Sequence, residues 1–276
     1  MEKSICKIQC KGVFIPDRNW INITKFGINR LYYIEEGIGC YTENGINIPF
    51  EPGKIYFIPF YASVPTYTDE NAKLKHVYVN FTLTPPIVSK KVFCLDPNAS
   101  KKIQTAVAAL RSFCSDAIYY DKRKEPLTEW EIREREFLNS ITVFLTESAV
   151  AGRKDDIMSD TTIISALDII HSTLHEKLTV NDIAARCFMS TDGFIKKFSR
   201  AVGETPYSYI KKLKITMASI MRAEGSTAEE AATACGYADA SSLIHAISSV
   251  QKHPPLFERK HRVCYANSAK GSKYQA

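Results

Sequence analysis

Two stretches of this chain repeat one another. TVNDIAARCFMSTDGFIKKFSRAVGETP begins at Thr179, and TAEEAATACGYADASSLIHAISSVQKHPP begins at Thr227. Ala184 aligns with Ala232 and Cys187 with Cys235. After one extra residue in the second copy, Phe194 and Phe198 align with Leu243 and Ile247, and Pro206 with Pro255, a period of about 48 residues. Each copy opens on a threonine followed three residues later by an acid (Asp182, Glu230), the signature of a capped helix start. Apolar residues then recur at helical spacing, pause over a short turn and resume. Each copy therefore predicts a helix, a tight turn and a second helix, with the small Ala184 and Ala232 allowing the two helices to cross closely.

This is the sequence logic of a helix-turn-helix, whose second helix enters the major groove of DNA. Two αα-hairpins of an unrelated helical domain are the alternative. The duplication, joined by a helix read over YSYIKKLKITMASIMRAEG (207–225), favours the first. Further helix starts at Ser190, Thr205-Pro206 and Pro254-Pro255 give about seven short helices between Thr162 and Val263. Residues 163–262 resemble the DNA-binding domain of AraC-type (AraC/XylS) transcription regulators. The matching features are LTVNDIAARCFMS, the spacing of Phe194, Phe198, Gly203, Pro206, Tyr209 and Ile210, the linking helix LKITMASIM, and EEAATACGYADASSL. The resemblance implies two recognition helices in successive major grooves on one DNA face, roughly 34 Å apart.

The first recognition helix is expected over about Thr191–Val202, with Phe194 and Phe198 facing inward. The resemblance implies base contacts at Asp192, Ile195 and Lys196, and in the second copy at Ala240, Ser241, Ile244 and His245. Lys197, Arg200, Lys211, Lys212 and Lys214 are expected to anchor phosphates, which position a protein without specifying sequence. The second copy departs from the family, which usually has Arg where His245 stands and basic residues where Ser248 and Ser249 stand. Family members usually carry Gly at Lys252 and an aromatic at Glu258. Residues 177–222 hold nine Lys and Arg against three acids, whereas residues 223–262 hold four against five. Phosphate neutralisation drives much of DNA affinity, so the first half is expected to dominate binding.

The N-terminal third has a different period. RLYYIEEGIGCYTENGINIPFEPGKIYFIPF and LKHVYVNF are short runs rich in Ile, Val, Tyr and Phe, broken by Gly, Pro and Asn. Asn44-Gly45 suits a two-residue hairpin turn, and Glu51–Lys54 a second turn. G-x-x-x-x-x-N-G followed by P-G-K-I-Y-F-I-P resembles the cupin-like sensor barrel that precedes many AraC-type domains. The expected fold class is α+β in two domains. A cupin-like β-barrel (1–95) is followed by a helical support segment (96–150), a linker (151–162), an all-α double helix-turn-helix domain (163–265) and a frayed tail (266–276). Helical spacing is read from Asp96 to Tyr120, and a second capped helix from Thr128, with Glu131 completing the box. Its apolar stripe, Trp130, Phe137, Leu138, Ile141, Phe144 and Leu145, exceeds what one small barrel needs and marks it as a candidate dimerisation helix.

The barrel is expected to hold a small-molecule effector such as a sugar, with Arg30, Tyr32, Tyr41, Tyr56 and Tyr78 as candidate ligands; Tyr33 and Tyr67 could stack on it as well. The strands offer only His76 as an imidazole, which argues against a cupin metal site. His171 and His175 stand four apart on a helix but have no second ligand pair nearby. No cofactor motif, P-loop or nucleophile elbow is present, so the chain is not expected to be an enzyme. None of the eight cysteines forms a C-x-x-C pair. The N-terminus lacks a signal-peptide core and no apolar run reaches the ~18 residues of a membrane span, so a cytoplasmic chain is expected. A net charge of +6 leans towards anionic partners. The partners implied are double-stranded DNA, the effector, a second copy of the chain and RNA polymerase. A degenerate member whose second helix-turn-helix contacts protein is the competing reading.

Overall fold

The computed structural model describes residues 4–15, 20–22, 28–43, 46–62, 66–68, 74–120, 123–176, 179–223 and 226–251. Two compact units follow one another along the chain, with the boundary between Ile157 and Met158.

The first unit is built on two antiparallel sheets. Strands β1 (Ile5–Phe14), β3 (Asn29–Glu36), β6 (Ile55–Ile58), β8 (Lys75–Thr84), β9 (Phe93–Leu95) and β10 (Ile118–Tyr119) form a six-stranded sheet in the order β10-β1-β8-β3-β6-β9. Strands β2 (Trp20–Asn22), β4 (Cys40–Glu43), β5 (Ile46–Pro49) and β7 (Thr66–Thr68) form a second sheet in the order β2-β7-β4-β5. Among the described residues the strands of the expected barrel form two sheets, without the hydrogen-bonded closure a barrel would have. The sequence signals strands and turns, but closure depends on the register between distant strands, which no local pattern specifies. Glu43 pairs with Ile46 as the hairpin reading requires, while the Asn44-Gly45 turn itself lies outside the described residues.

The larger sheet is buried on both faces, which explains its unbroken apolar runs. Because successive side chains alternate across a strand, Leu31, Ile55, Phe57, Val77 and Val79 share one core, and Tyr32, Ile34, Tyr56, Ile58 and Tyr78 share another. The first core is completed by helices α1 (Lys101–Phe113) and α2 (Glu129–Val150), which lay Ile103, Val107, Leu110, Leu138, Ile141 and Leu145 on the sheet. Thr128 and Glu131 make the expected capping box at the start of α2. The helical reading of 96–120 ends early. Cys114 caps α1, and Ile118–Tyr119 turn back as β10 to pair with Cys10 and Lys11 of β1. Buried Lys11 holds this junction through ion pairing to Glu134 and donation to the Phe113 carbonyl. Within the stretch read as a linker, Asp156 pairs with Lys91 at 2.6 Å and Ile157 packs on the first core.

The second unit is helical: α3 (Thr161–Ser172), α4 (Val180–Arg186), α5 (Thr191–Val202), α6 (Pro206–Ala223), α7 (Ala228–Ala234) and α8 (Ala240–Gln251). The starts read at Thr179, Ser190, Thr205-Pro206 and Thr227 all coincide with helix N-termini. The seventh helix start, Pro254-Pro255, and the tail lie outside the described residues. Among the described residues no helix is long and apolar enough to cross a membrane.

Candidate nucleic-acid interface

The repeat is reproduced in the backbone hydrogen bonds of its turns. At the end of α4, the Met189 amide donates to the Ala184 carbonyl (2.9 Å) and Phe188 to Ala185 (3.0 Å). At the end of α7, Tyr237 donates to Ala232 (2.9 Å) and Gly236 to Thr233 (3.1 Å). Both turns are Schellman motifs, which require a left-handed residue just past the helix, here Phe188 (φ 55°) and Gly236 (φ 68°). Ala184 and Ala232 are both buried, and each leads into a second helix. Ser190 caps α5 by accepting from the Gly193 amide, and Asp239 accepts from the Ser242 amide at the start of α8.

Burial fixes which face of α5 and α8 is turned outward. Phe194, Phe198 and Val202 face the core of the unit, with Phe198 edge-on to Tyr209 at 5.7 Å. Asp192, Lys196 and Arg200, spaced by four, form an exposed stripe on the opposite side, with Ile195 half-buried at its edge. In α8, Leu243 is buried against Ala218, Ala231, Ala232 and Cys235, and Ile247 packs on the same cluster. Ser241, Ile244 and His245 are exposed, and Ala240 is half-buried at the helix start. Each of the two helices thus carries its candidate base-reading residues on one outward face.

The candidate phosphate anchors separate into two kinds. Arg200 is exposed on the α5 stripe, and Lys211 is half-buried on α6. Lys212 is exposed and pairs with Glu204 at 2.8 Å. Lys197 instead points back into the unit. Its ammonium pairs with Asp160 at 3.1 Å and donates to Thr162 Oγ1 at 3.2 Å, tying the recognition helix to the start of α3. Lys214 turns inward as well, donating to the Glu176 carbonyl at 3.3 Å and lying over the Tyr237 ring. Burial pushes its ammonium below the usual lysine value. Unlike Arg200, Lys197 and Lys214 thus each have oxygen partners within the unit.

Sequence reading missed these contacts because the oxygen partners lie about 35 residues away or more. His171, read as one of a histidine pair on a helix, is half-buried and lies 2.7 Å from Tyr209 Oη, joining α3 to α6. Burial holds His171 neutral, with its pKa lowered to about 3. Among the described residues no three His, Cys, Asp or Glu side chains gather as a metal site would need.

In the first unit, the five effector candidates come together. Tyr32, Tyr41, Tyr56 and Tyr78 are all buried, with Phe50 wedged between Tyr41 (5.5 Å) and Tyr56 (4.8 Å). Tyr56 Oη accepts from the Glu51 amide at 2.8 Å, and Tyr78 Oη donates to Tyr119 Oη at 3.4 Å. Arg30 is only 3% exposed and donates to Tyr32 Oη at 3.4 Å, so it is an interior residue and not a surface one. His76 lies 4.6 Å from the Tyr32 ring; burial first, and the Arg30 charge second, lower its pKa to about 3. Tyr33 faces the other way, beneath the Arg111 guanidinium, and drops out of the set. The Tyr67 side chain lies outside the described residues. An open apolar groove of about 300 Å³ lies elsewhere, between α1 and α2, lined by Ala106, Ala109, Phe137, Ile141 and Phe144.

The family model of a helix-turn-helix domain matches residues 171–261, the stretch in which both motifs were found. A putative AraC-like transcription regulator of Streptomyces lividans is 30% identical over 105 residues. Over this stretch the chain is similar to AraC-type DNA-binding domains. The alignment with the Streptomyces relative covers 38% of this chain and 34% of the relative, so the chain spans about a third of the curated protein's length. The two-unit architecture is similar to that of ToxT from Vibrio cholerae, at 12% identity and a TM-score of 0.55, covering 89% of this chain and 94% of ToxT. A structure of ToxT with an unsaturated fatty acid bound matches at 10% identity and the same TM-score of 0.55, covering 90% of this chain and 93% of that one. At these identities the likeness to ToxT concerns the fold alone.

Proposed function

We propose that the chain is a transcription regulator that binds double-stranded DNA through α5 and α8. The observation that carries this is the duplicated helix-turn-helix whose two second helices each turn a polar face outward from a buried aromatic or aliphatic core. Asp192, Ile195, Lys196, Ala240, Ser241, Ile244 and His245 would contact bases, and Arg200, Lys211 and Lys212 phosphates. The first motif supplies most of the affinity, since α8 carries no Lys or Arg from Ala240 to Gln251.

The N-terminal unit serves as the sensor. Its Arg30–Tyr32–Tyr41–Tyr56–Tyr78 cluster offers one guanidinium and a set of tilted and edge-to-face aromatic rings to a small molecule such as a sugar or an organic acid. That a ToxT structure of the same fold holds a fatty acid supports a small-molecule effector. The apolar strip of α2 outside its own core, with Phe137 and Phe144 exposed, supports a homodimer through this helix.

A second reading is favoured by α8 itself. Its outward face is uncharged and leaves Ile244 54% exposed, a surface suited to a protein such as RNA polymerase. A gel-shift titration against salt, using the DNA upstream of the chain's own gene, separates the two. Sequence-specific binding with a steep salt slope supports the regulator; binding that is absent or insensitive to salt supports the protein-contact reading.

A further inference from the structure

The two left-handed turn positions carry very different residues for a physical reason. A β-carbon on Gly236 would lie 2.9 Å from Lys214 Nζ, 3.0 Å from the Glu176 carbonyl oxygen and 3.1 Å from that of His175. Three elements therefore meet at this point. The chain leaving α3, which packs against the first motif, presents its carbonyls. The linking helix α6 presents the Lys214 ammonium. The turn of the second motif presents Gly236 and the Tyr237 ring, whose centroid lies 6.0 Å from Nζ. Carbonyls past a helix C-terminus are under-bonded and attract a cation, and an aromatic face adds to that attraction. At the equivalent point of the first motif Phe188 stands 98% exposed, so no such junction exists there.

We infer that Lys214 is a positioning residue, a brace that sets the second helix-turn-helix against the first and so fixes the spacing at which α5 and α8 meet DNA. The inference rests on the DNA-binding reading for its consequence but not for its geometry. Two weak readers held rigidly act at high effective concentration for one another, and a loosened joint loses that gain.

The full-length chain tests this, with duplex DNA selected by the wild type from a random library as probe. Lys214→Met keeps the apolar stem and should weaken binding by about tenfold or more. The slope of log affinity against log salt should stay at the wild-type value, because no phosphate contact is lost. A slope smaller by about 0.9 would return Lys214 to the phosphates and overturn the inference. One base pair inserted between the two contacted segments should penalise the wild type more than Lys214→Met; an equal penalty counts against the brace. Lys214→Arg, which can still donate to the carbonyls, should recover both properties. Amide exchange provides a readout without DNA. In Lys214→Met, residues 228–235 and 240–247 should exchange faster while 191–202 keep their protection, and Gly236→Ala should reproduce the pattern. Unchanged protection in the second motif would sink the brace. If the wild type selects no duplex, the DNA reading fails while the exchange result still decides on Lys214.

Discussion

At Phe188 the backbone occupies a region that costs an L-residue roughly 1 kcal/mol, and the side chain gains no burial in return. Phe188→Gly should therefore raise the stability of the second unit by about 1 kcal/mol, read as a higher midpoint in urea with an unchanged m value. A neutral or destabilising outcome would mean that the exposed ring has a contact in solution that offsets the strain. The outward stripe of α5 yields a second test at this scale. Lys196→Ala should weaken DNA binding by ~1–3 kcal/mol, and His245→Ala by clearly less, because only the first position puts a permanent cation on the exposed face. Equal losses in a gel-shift series would remove the ranking of the two motifs. Lys197→Ala should change the salt slope less than Arg200→Ala does, since Lys197 already neutralises Asp160.

Helices of this unit are short, and their ends matter accordingly. α4 and α7 have seven residues each and begin with complete capping boxes. Thr227→Ala should cost about 1 kcal/mol, measured by denaturant, with the loss of amide protection centred on α7. His171 makes the α3–α6 contact sensitive to pH. Its folded pKa of about 3 lies below the ordinary 6.5, so the unfolded chain binds the proton first. Its contribution is complete above pH 6.5 and is lost as pH falls from there towards 3, by at most about 1.4 kcal/mol per pH unit. His76 acts with the same sign in the first unit. His171→Gln keeps a partner for Tyr209 without titrating. The pH slope of unfolding free energy between pH 6.5 and 4 should therefore become shallower, and an unchanged slope would show that His171 is not buried as a neutral group.

Across the whole molecule, the apolar residues of α2 divide between two tasks. Leu138, Ile141 and Leu145 cover the sheet, while Phe137 remains 50% exposed beside Phe144 and the groove formed with α1. Phe144→Glu should leave the fold intact and turn a dimer into a monomer in sedimentation experiments. A wild-type chain that sediments as a monomer would dismiss that use of the groove. The legible parts of this protein are those governed by neighbours in sequence. The capping threonines, the inward aromatics of α5, the Ala184 and Ala232 crossings and the outward residues at 192, 196, 241 and 245 all follow from helical periodicity and cap chemistry. The alternation of Tyr32 and Tyr33 follows from strand pleating, but which face receives the helices does not.

The sequence by itself determined the repeat, the helix boundaries and the side of each helix that must be buried, because these obey hydrogen-bonding rules that span only a few residues. Only the tertiary structure decided that the strands form two sheets, that Arg30 lies inside, and that Lys197 and Lys214 reach oxygens within the unit. The physical reason is the same in each case. A long flexible cation looks alike on paper whether its nearest oxygen is a phosphate in a groove or a carbonyl of a distant turn, and the fold alone brings one of those oxygens within reach.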